Sequence, residues 1–464
     1  MSQRKFLDEF VKKIHATYRS HRSKSEKLHR EARSSLPGGD TRSSTYFRPF
    51  PSFMERGEGC RLYDVDGNTY IDFLNNCASL IHGHAHPQVV EAVIAQVRRG
   101  CIFASPAESQ SRLAQIICDR LPSAEKVRFC NSGTEATLCA IRVARAYRKR
   151  FKIVKMEGGY HGSHDIVSIS TKPSLKEAGP IEEPKSVAQD ISVPPGVVND
   201  CIIAPFNNTE ITERIIVQNR EDLAAVIVEP LLGSGGMIPA DPDFLKAVRE
   251  VTSKYKIPLI LDEVISFRLA KGGGQEIYGI LPDITTLGKI IGGGYPVGAI
   301  AGREEIMDLF SPMNATFLSH AGTFNGSLVT MTAGVATMDL LTVSEIDRIN
   351  GLGEKLRREF RNIFEEVRIK ALVTGTGSLA QVHFTELEKV KDWRGAASGR
   401  VDMRTILHLL LVIKGIFIAP WLGMLSISTA MGEKEIDEAK NALKDCLLEM
   451  RPYVEKAAPE LMYG

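Results

Sequence analysis

The 464-residue sequence predicts an α/β chain: a large domain with a mostly parallel central sheet, and a smaller α+β domain after it. Three observations predict this. Between residues 86 and 335, short apolar runs alternate with helical patterns, as expected for strands covered by helices on both faces. Beyond Leu341 the rhythm changes to long helices around two strand-like runs. Hydrophobic residues make up 43% and charged residues 25% of the chain, enough apolar material for a large core.

The elements follow in order. Phe6, Phe10, Ile14 and Tyr18 recur every fourth residue, which predicts an amphipathic helix laid on its own protein or on a partner subunit. Asp66-Gly67 between apolar runs 62–64 and 69–71 predicts a hairpin with a type I′ turn. His86-Pro87 opens a helix through Val89, Val90, Val93 and Val97. Strands are expected at 126–129, 152–156, 224–228, 258–261 and 284–286, and a helix runs to Arg148. Residues 172–200 carry Pro173, Pro180, Pro184, Pro194 and Pro195 and read as a long loop: disordered, an active-site lid or a surface insertion. The small domain is expected as a helix at 344–367, strands at 369–374 and 380–384, and helices at 403–414 and 433–457. The expected division is 1–85, a helix and hairpin segment belonging to the small domain; 86–335, the large domain; and 336–464, the C-terminal α+β domain.

Composition narrows the function. A formal net charge of +2 provides no strong field for nucleic acid or a membrane surface. No apolar run reaches the ~18 residues of a membrane span. The eight cysteines form no CxxC pair, and buried free thiols in a reducing cytoplasm fit them best. The acids Asp8, Glu9, Glu26 and Glu31 argue against a transit peptide. His82, His84 and His86 have no cysteine or third-ligand pattern nearby, so no metal is expected. Gly375 to Ala380 mimics a dinucleotide fingerprint but leads into a strand rather than a helix.

Five segments carry chemistry. An apolar strand ends in Asp262-Glu263-Val264; a carboxylate there needs a cation, such as a protonated pyridine nitrogen, unless it caps a helix or binds magnesium. Lys289 follows a strand and is surrounded by Gly288, Gly292, Gly293 and Gly294. A desolvated lysine becomes a nucleophile for aldehydes, and glycines clear space for a flat ring. A Walker loop is excluded by Asp283 and Ile290. Asn131-Ser132-Gly133-Thr134-Glu135-Ala136 opens a helix and suits either a phosphate or an ordinary N-cap. Tyr160, in Gly159-Tyr160-His161-Gly162, can stack on a heterocycle or pack in a Gly-rich turn. His320 to Gly326, with Thr323, suits an anion or forms a plain polar loop.

Taken together, Asn-Ser-Gly-Thr-Glu-Ala, Gly-Tyr-His-Gly, Asp-Glu-Val, Thr-Leu-Gly-Lys-Ile-Ile-Gly-Gly-Gly and Gly-Thr-Phe-Asn-Gly resemble class III aminotransferases. The chain looks closest to the branch of glutamate-1-semialdehyde aminomutase and the β-amino-acid aminotransferases, from about Pro37 to residue 455. The resemblance implies fold type I, the aspartate-aminotransferase-like architecture of pyridoxal-phosphate enzymes, with the cofactor in the large domain. It implies that Lys289 holds pyridoxal 5'-phosphate as a Schiff base and shuttles a proton, and that Asp262 keeps the pyridine nitrogen protonated. It implies that Ser132, Gly133 and Thr134 bind the phosphate and that Thr323 adds a contact from the neighbouring subunit of a homodimer. Tyr160 and Val264 would flank the ring, with His161 beside them and Glu229 near the ring hydroxyl.

For the substrate, Pro37 to Ser43 resembles the segment in which β-amino-acid aminotransferases grip a carboxylate with an arginine, here Arg42; a surface arginine is the plain alternative. The stretch from Asp262 to Arg268 is one residue shorter than in the aminomutases, which favours the aminotransferase side. Where similar aminotransferases carry an arginine after Pro420, this chain has Trp421 and Leu422. The expected function is amino transfer from an amino acid, a β-amino acid above all, to a keto acid in the cytoplasm. The alternative is intramolecular transfer of the glutamate-1-semialdehyde 2,1-aminomutase type.

Overall fold

The computed structural model describes the backbone of residues 3–420 and 423–463, and the side chains from residue 8 onward within those ranges. The chain separates into two compact units. Unit 1 comprises Met1–His86, Arg348–Val390 and Ser398–Gly464; unit 2 comprises Pro87–Asp347 and Lys391–Ala397.

In unit 1, strands β1 (Met54–Glu58), β2 (Arg61–Asp64) and β3 (Thr69–Asp72) form a meander. In unit 2 the chain continues through β4 (Lys126–Cys130), β5 (Lys152–Met156), β6 (Cys201–Ala204), β7 (Leu223–Val228) and the short pair β8 (Leu231–Leu232) and β9 (Ile238–Pro239). It then passes through β10 (Leu259–Asp262), β11 (Ile284–Gly288) and β12 (Gly298–Gly302). Unit 1 resumes with β13 (Leu372–Thr374), β14 (Leu379–His383), β15 (Ile416–Phe417) and β16 (Met424–Ser426).

The large sheet of unit 2 has the order β4-β12-β11-β10-β7-β5-β6. Only β12 runs antiparallel to its neighbours. Its central strands are buried on both faces, which is why β7 and β10 read as unbroken apolar runs and not as alternations. The mixed α/β architecture of fold type I expected from the sequence is present.

Two strands of the large sheet escaped the sequence reading, as did the short β8, β9, β15 and β16. β6 is four residues directly after the proline-rich loop, and β12 (Gly-Ala-Ile-Ala-Gly) lacks β-branched residues except Ile300. Packing explains the glycines. A Cβ on Gly298 would lie 2.0 Å from the Ser132 carbonyl oxygen, so this strand admits only glycine where the Ser132 turn crosses it.

The 66–67 turn also differs from expectation. β2 and β3 do pair antiparallel, but only Gly67 takes a left-handed φ, +90°, whereas a type I′ turn needs Asp66 there too. Asp66 is engaged elsewhere. Its carboxylate accepts the backbone N–H groups of Lys24 (2.7 Å) and Ser25 (3.0 Å), at the start of the Ser23–Ala32 helix.

The N-terminal helix Gln3–Ser20 lays Phe10, Ile14 and Tyr18, each at most 2% exposed, onto its own unit, and Phe10 stacks on Tyr453. Phe6 precedes the described side chains. Arg22, just beyond, is buried and donates to Ser52 Oγ, Tyr70 Oη and the Val412 carbonyl.

Residues 172–200 hold no regular element before the short helix Pro195–Asn199. The segment is nonetheless pinned. Trp393 Nε1 donates to the Pro173 carbonyl at 3.1 Å and Arg394 Nη1 to the Gly179 carbonyl at 2.8 Å, while Arg394 also forms a two-pronged ion pair with buried Glu157. The geometry is that of a fastened surface excursion, not a disordered loop.

All eight cysteines are free thiols; five are buried, whereas Cys77 and Cys118 are half-buried and Cys101 is exposed. His82 Nδ1 lies 2.8 Å from Thr429 Oγ1 and His84 Nε2 2.7 Å from Asp72 Oδ2, so these histidines serve hydrogen bonding within unit 1. Among the described residues no helix is long and apolar enough to cross a membrane.

Candidate active site

In a parallel sheet the residues just past the carboxyl ends of the strands share one edge. In unit 2 that edge receives Ser132 after β4, Tyr160 and His161 after β5, Glu229 after β7, Asp262 closing β10 and Lys289 after β11.

The turn after β4 becomes the first turn of the Gly133–Arg148 helix. Ser132 is its N-cap: extended (φ −156°), its Oγ accepts the Glu135 N–H at 3.1 Å. Glu135 reaches back, Oε2 accepting the N–H of Asn131, the residue before the cap, at 2.8 Å. The helical ladder begins only with Ala136 N–H to the Ser132 carbonyl, leaving the amides of Gly133 and Thr134 outside it. With the positive end of the helix dipole, that suits a phosphate dianion. Asn131 Nδ2 also donates to Asn325 Oδ1 at 2.8 Å, tying the exposed loop that carries Thr323 to this turn.

Asp262 is 5% exposed and its Oδ2 meets His161 Nδ1 at 2.7 Å, while Oδ1 accepts the Val264 N–H at 3.1 Å. Burial pushes His161 below the ordinary histidine value, against the pull of the Asp262 carboxylate, so the ring is neutral and Nδ1–H donates. Two polar atoms here are buried without a partner: His161 Nε2 and Oγ1 of Thr286, the residue paired with Asp262 across the β10–β11 ladder.

Glu229 is 4% exposed. Its Oε1 accepts the Tyr160 N–H at 3.0 Å and its Oε2 the Gly233 N–H at 2.9 Å. Burial, helped by the Asp262 charge, raises its carboxyl to about 8; the two N–H donors and Lys155 oppose that shift. Lys155 lies wholly inside the sheet and burial lowers it to about 8.

Lys289 starts a tight turn, Lys289–Gly292, with the left-handed φ of +50° that non-glycine residues rarely adopt. Such strain collects at functional positions. The surrounding glycines serve close approach. A methyl on Gly133 would come 3.2 Å from Val264, one on Gly288 3.4 Å from Val264, and one on Gly162 2.6 Å from Thr134 Oγ1. Gly292 and Gly293, expected to clear space for a ring, instead let the turn seat on Val297 and on the Ala333 carbonyl.

Of the two acids closing β10, only Asp262 points to this edge. Glu263 is fully buried and accepts from Ser266 Oγ (2.8 Å), Gly274 N–H (2.6 Å) and Gln275 N–H (2.9 Å), anchoring the Gly273–Tyr278 helix. Tyr160 is 43% exposed. Arg42 belongs to unit 1. It is exposed, and its Nη1 donates to Asn76 Oδ1 at 2.8 Å. Asn76 sits in Asn75–Ala78, four consecutive residues at φ between +47° and +66°, a left-handed turn. Trp421 and Leu422 lie outside the described residues.

Sequence reasoning missed Thr286, Lys155 and the Glu157–Arg394 pair. The polar pair Thr285-Thr286 inside an apolar strand was a readable signal; a lysine in the middle of β5 was another.

These groups fit pyridoxal 5'-phosphate by the chemistry of their donors: a buried carboxylate for a cationic ring nitrogen, helix amides for a phosphate, an amine for an aldehyde, and unanswered buried polar atoms beside the carboxylate. The comparisons with known proteins agree. The family model of class-III aminotransferases matches residues 43–445. A glutamate-1-semialdehyde 2,1-aminomutase of Methanothermobacter thermautotrophicus is 43% identical, covering 86% of this chain and 92% of its own. The ω-transaminase of Sphaerobacter thermophilus superposes with a TM-score of 0.89 at 41% identity, covering 92% of this chain and 98% of its own. The β-phenylalanine aminotransferase of Variovorax paradoxus superposes with a TM-score of 0.88 at 31% identity, covering 96% and 98%. A strand edge that gathers an acid, an amine and a phosphate-ready helix end thus has its counterpart in a known lineage: the chain belongs to the class-III aminotransferases, enzymes that work with pyridoxal 5'-phosphate.

Proposed function

We propose that this enzyme takes an amino group from a carboxylate-bearing substrate onto its cofactor, with Lys289 as the proton-carrying amine and Asp262 as the partner of the ring nitrogen. The observation that carries the proposal is the buried Asp262–His161 pair on the strand edge that also holds the strained Lys289. When bound, pyridoxal phosphate supplies an electron sink for the bond broken at the substrate carbon. The chain's residues do the rest. Asp262, fixed by the His161 donor, holds a proton at the ring nitrogen. The Gly133 and Thr134 amides and the Ser132 hydroxyl hold the phosphate. Tyr160 and Val264 would confine the ring, and Glu229 would serve its hydroxyl. Lys289 would hold the cofactor through its Nζ amine and would move a proton at the substrate carbon. Arg42, held by Asn76, grips the substrate carboxylate. The working species is a homodimer in which each Thr323 serves the neighbouring subunit's phosphate site.

Two finer readings differ in where the amino group goes. The similar relatives that carry the aminomutase name support intramolecular transfer on a glutamate-1-semialdehyde-like substrate better than they support the β-amino-acid reading. Transfer from a β-amino acid to a keto acid is favoured by the shortened stretch from Asp262 to Arg268 and by the likeness to an ω-transaminase and a β-phenylalanine aminotransferase. Single-turnover spectra of the holoenzyme separate them. The intermolecular enzyme leaves its cofactor aminated and releases a keto product; the aminomutase returns an isomer with no second partner. The Lys289→Ala enzyme is expected to bind the cofactor yet lose turnover by several orders of magnitude. Near-normal turnover would refute the shared proposal.

A further inference from the structure

The segment Lys391–Ala397 comes from late in the chain, yet it packs within unit 2. Two adjacent side chains at its centre, Trp393 and Arg394, reach the turn that follows β5. Arg394 grips Glu157 through both carboxylate oxygens, Nε to Oε2 at 2.7 Å and Nη2 to Oε1 at 3.0 Å. Glu157 is 2% exposed, and this fork-to-fork pairing fixes its orientation as well as its distance. Trp393 sits on the next residue: a Cβ on Gly158, whose φ is +79°, would come 2.4 Å from Trp393 Cβ. The same two side chains hold the proline-rich excursion, through the Pro173 and Gly179 carbonyls. One clasp thus fastens both.

Between Glu157 and Tyr160 stand only Gly158 and Gly159. Neither has slack. The Gly158 N–H donates to the Ser170 carbonyl at 2.9 Å, and a Cβ on Gly159 would lie 3.0 Å from the Met156 carbonyl oxygen and 3.1 Å from His161 Nε2. The Tyr160 N–H is held by Glu229 and the His161 ring by Asp262. A displaced Glu157 therefore moves Tyr160 and His161 with it.

We propose that Arg394 is a positioning residue: through Glu157 and the two glycines it sets where Tyr160 and His161 stand on the strand edge that holds Asp262. That Tyr160 and His161 serve the cofactor rests on the function proposed above; their placement by Arg394 does not.

The test has two readouts. The first is amide hydrogen exchange of the apo-enzyme. In Arg394→Ala, residues 158–161 are expected to exchange about tenfold faster, while β10 and β11 keep wild-type protection. The second is the circular dichroism of the bound cofactor's visible band, with the rate at which an amino donor changes that band. Arg394→Ala is expected to lose dichroism and to react about tenfold more slowly. Arg394→Lys should fall between, and methylguanidine should restore part of both, because the Arg394 side chain is 20% exposed. The double variant Glu157→Gln, Arg394→Ala should be no slower than Arg394→Ala alone, since both changes open one clasp. Where Arg394→Ala does not fold, Arg394→Lys and Glu157→Gln carry the same readouts. Unchanged exchange at 158–161 overturns the proposal. So does faster exchange with wild-type dichroism and rate, which leaves the clasp a structural tie only. No amine-driven change in wild type, with dichroism still lost in Arg394→Ala, sinks the amino-transfer reading and leaves the positioning role standing.

Discussion

Replacing His161 by phenylalanine isolates what the Asp262–His161 bond contributes. Two terms act on stability. The 2.7 Å bond to a buried carboxylate is lost, a penalty of about 1.5–3 kcal/mol for a hydrogen bond to a charged group. The buried, partnerless Nε2 is removed as well, which returns about 1–3 kcal/mol. The terms nearly cancel, so the apo-enzyme of His161→Phe is expected to melt within a few degrees of wild type. Chemistry has no such compensation. On the proposed function, Asp262 without the His161 donor would be less firmly held against the ring nitrogen. At 1.36 kcal/mol per tenfold, the loss corresponds to about a 10- to 150-fold drop in the rate of the amine half-reaction. His161→Asn, which keeps a side-chain N–H, is expected to recover part of it. The assay is stopped-flow absorbance of the holoenzyme mixed with amino donor, beside a melt of the apo-enzyme. An unchanged rate in His161→Phe, or a rate loss fully explained by a collapsed melting temperature, would refute the reasoning.

Other consequences are open to measurement. Ser132→Ala removes a helix cap, at a cost of about 1 kcal/mol, and also weakens cofactor retention, read by equilibrium dialysis; Glu135→Ala disturbs the same cap while sparing the phosphate contact, so its retention stays closer to wild type. Glu229 is lifted from 4.5 to about 8, so the folded chain holds this proton more tightly than the unfolded chain. Its contribution to stability is complete below about 4.5 and is lost as pH rises through about 8, up to several kcal/mol in all. Urea unfolding of the apo-enzyme between pH 5 and 8 therefore declines less steeply in Glu229→Gln, and parallel curves would place that proton elsewhere. Arg42→Ala is expected to raise KM for carboxylate substrates about tenfold or more with little change in kcat, and an unchanged KM removes Arg42 from the site.

Much of this was readable because each feature left its mark in a short window. β5 and the last helix fall at the residues their periodicity indicated, since a buried strand and a long amphipathic helix declare themselves locally. β12 did not, because its sequence answers to the distant Ser132 carbonyl and not to strand propensity. The Asp66 turn failed for the same reason: its side chain is drawn to cap a helix some forty residues earlier. At the candidate site, the strand-end positions of Lys289, Asp262 and the Ser132 turn were legible from the sequence, and the roles expected of them came from the family resemblance. The Asp262–His161 bond was not, because it joins residues about a hundred positions apart through side-chain rotamers that no spacing encodes.

The strand edge in unit 2 holds a tension that a cofactor seated as proposed would resolve. Asp262 and Glu229 are both buried acids close enough for the charge of one to raise the other, and the neutral His161 ring lends Asp262 a donor but no positive charge. Lys155, itself lowered by burial, offsets the pair only in part. Such a cluster loses stability as pH rises unless a cation enters beside Asp262, and on the proposed function a protonated ring nitrogen would be that cation. Cofactor binding should therefore stabilise the fold more at pH 8 than at pH 6, beyond what simple mass action gives at equal saturation. The holo-minus-apo difference in unfolding free energy, measured at both pH values, decides it. An equal or smaller difference at pH 8 would mean that the acids are already neutralised within the chain and that the ring nitrogen binds uncharged.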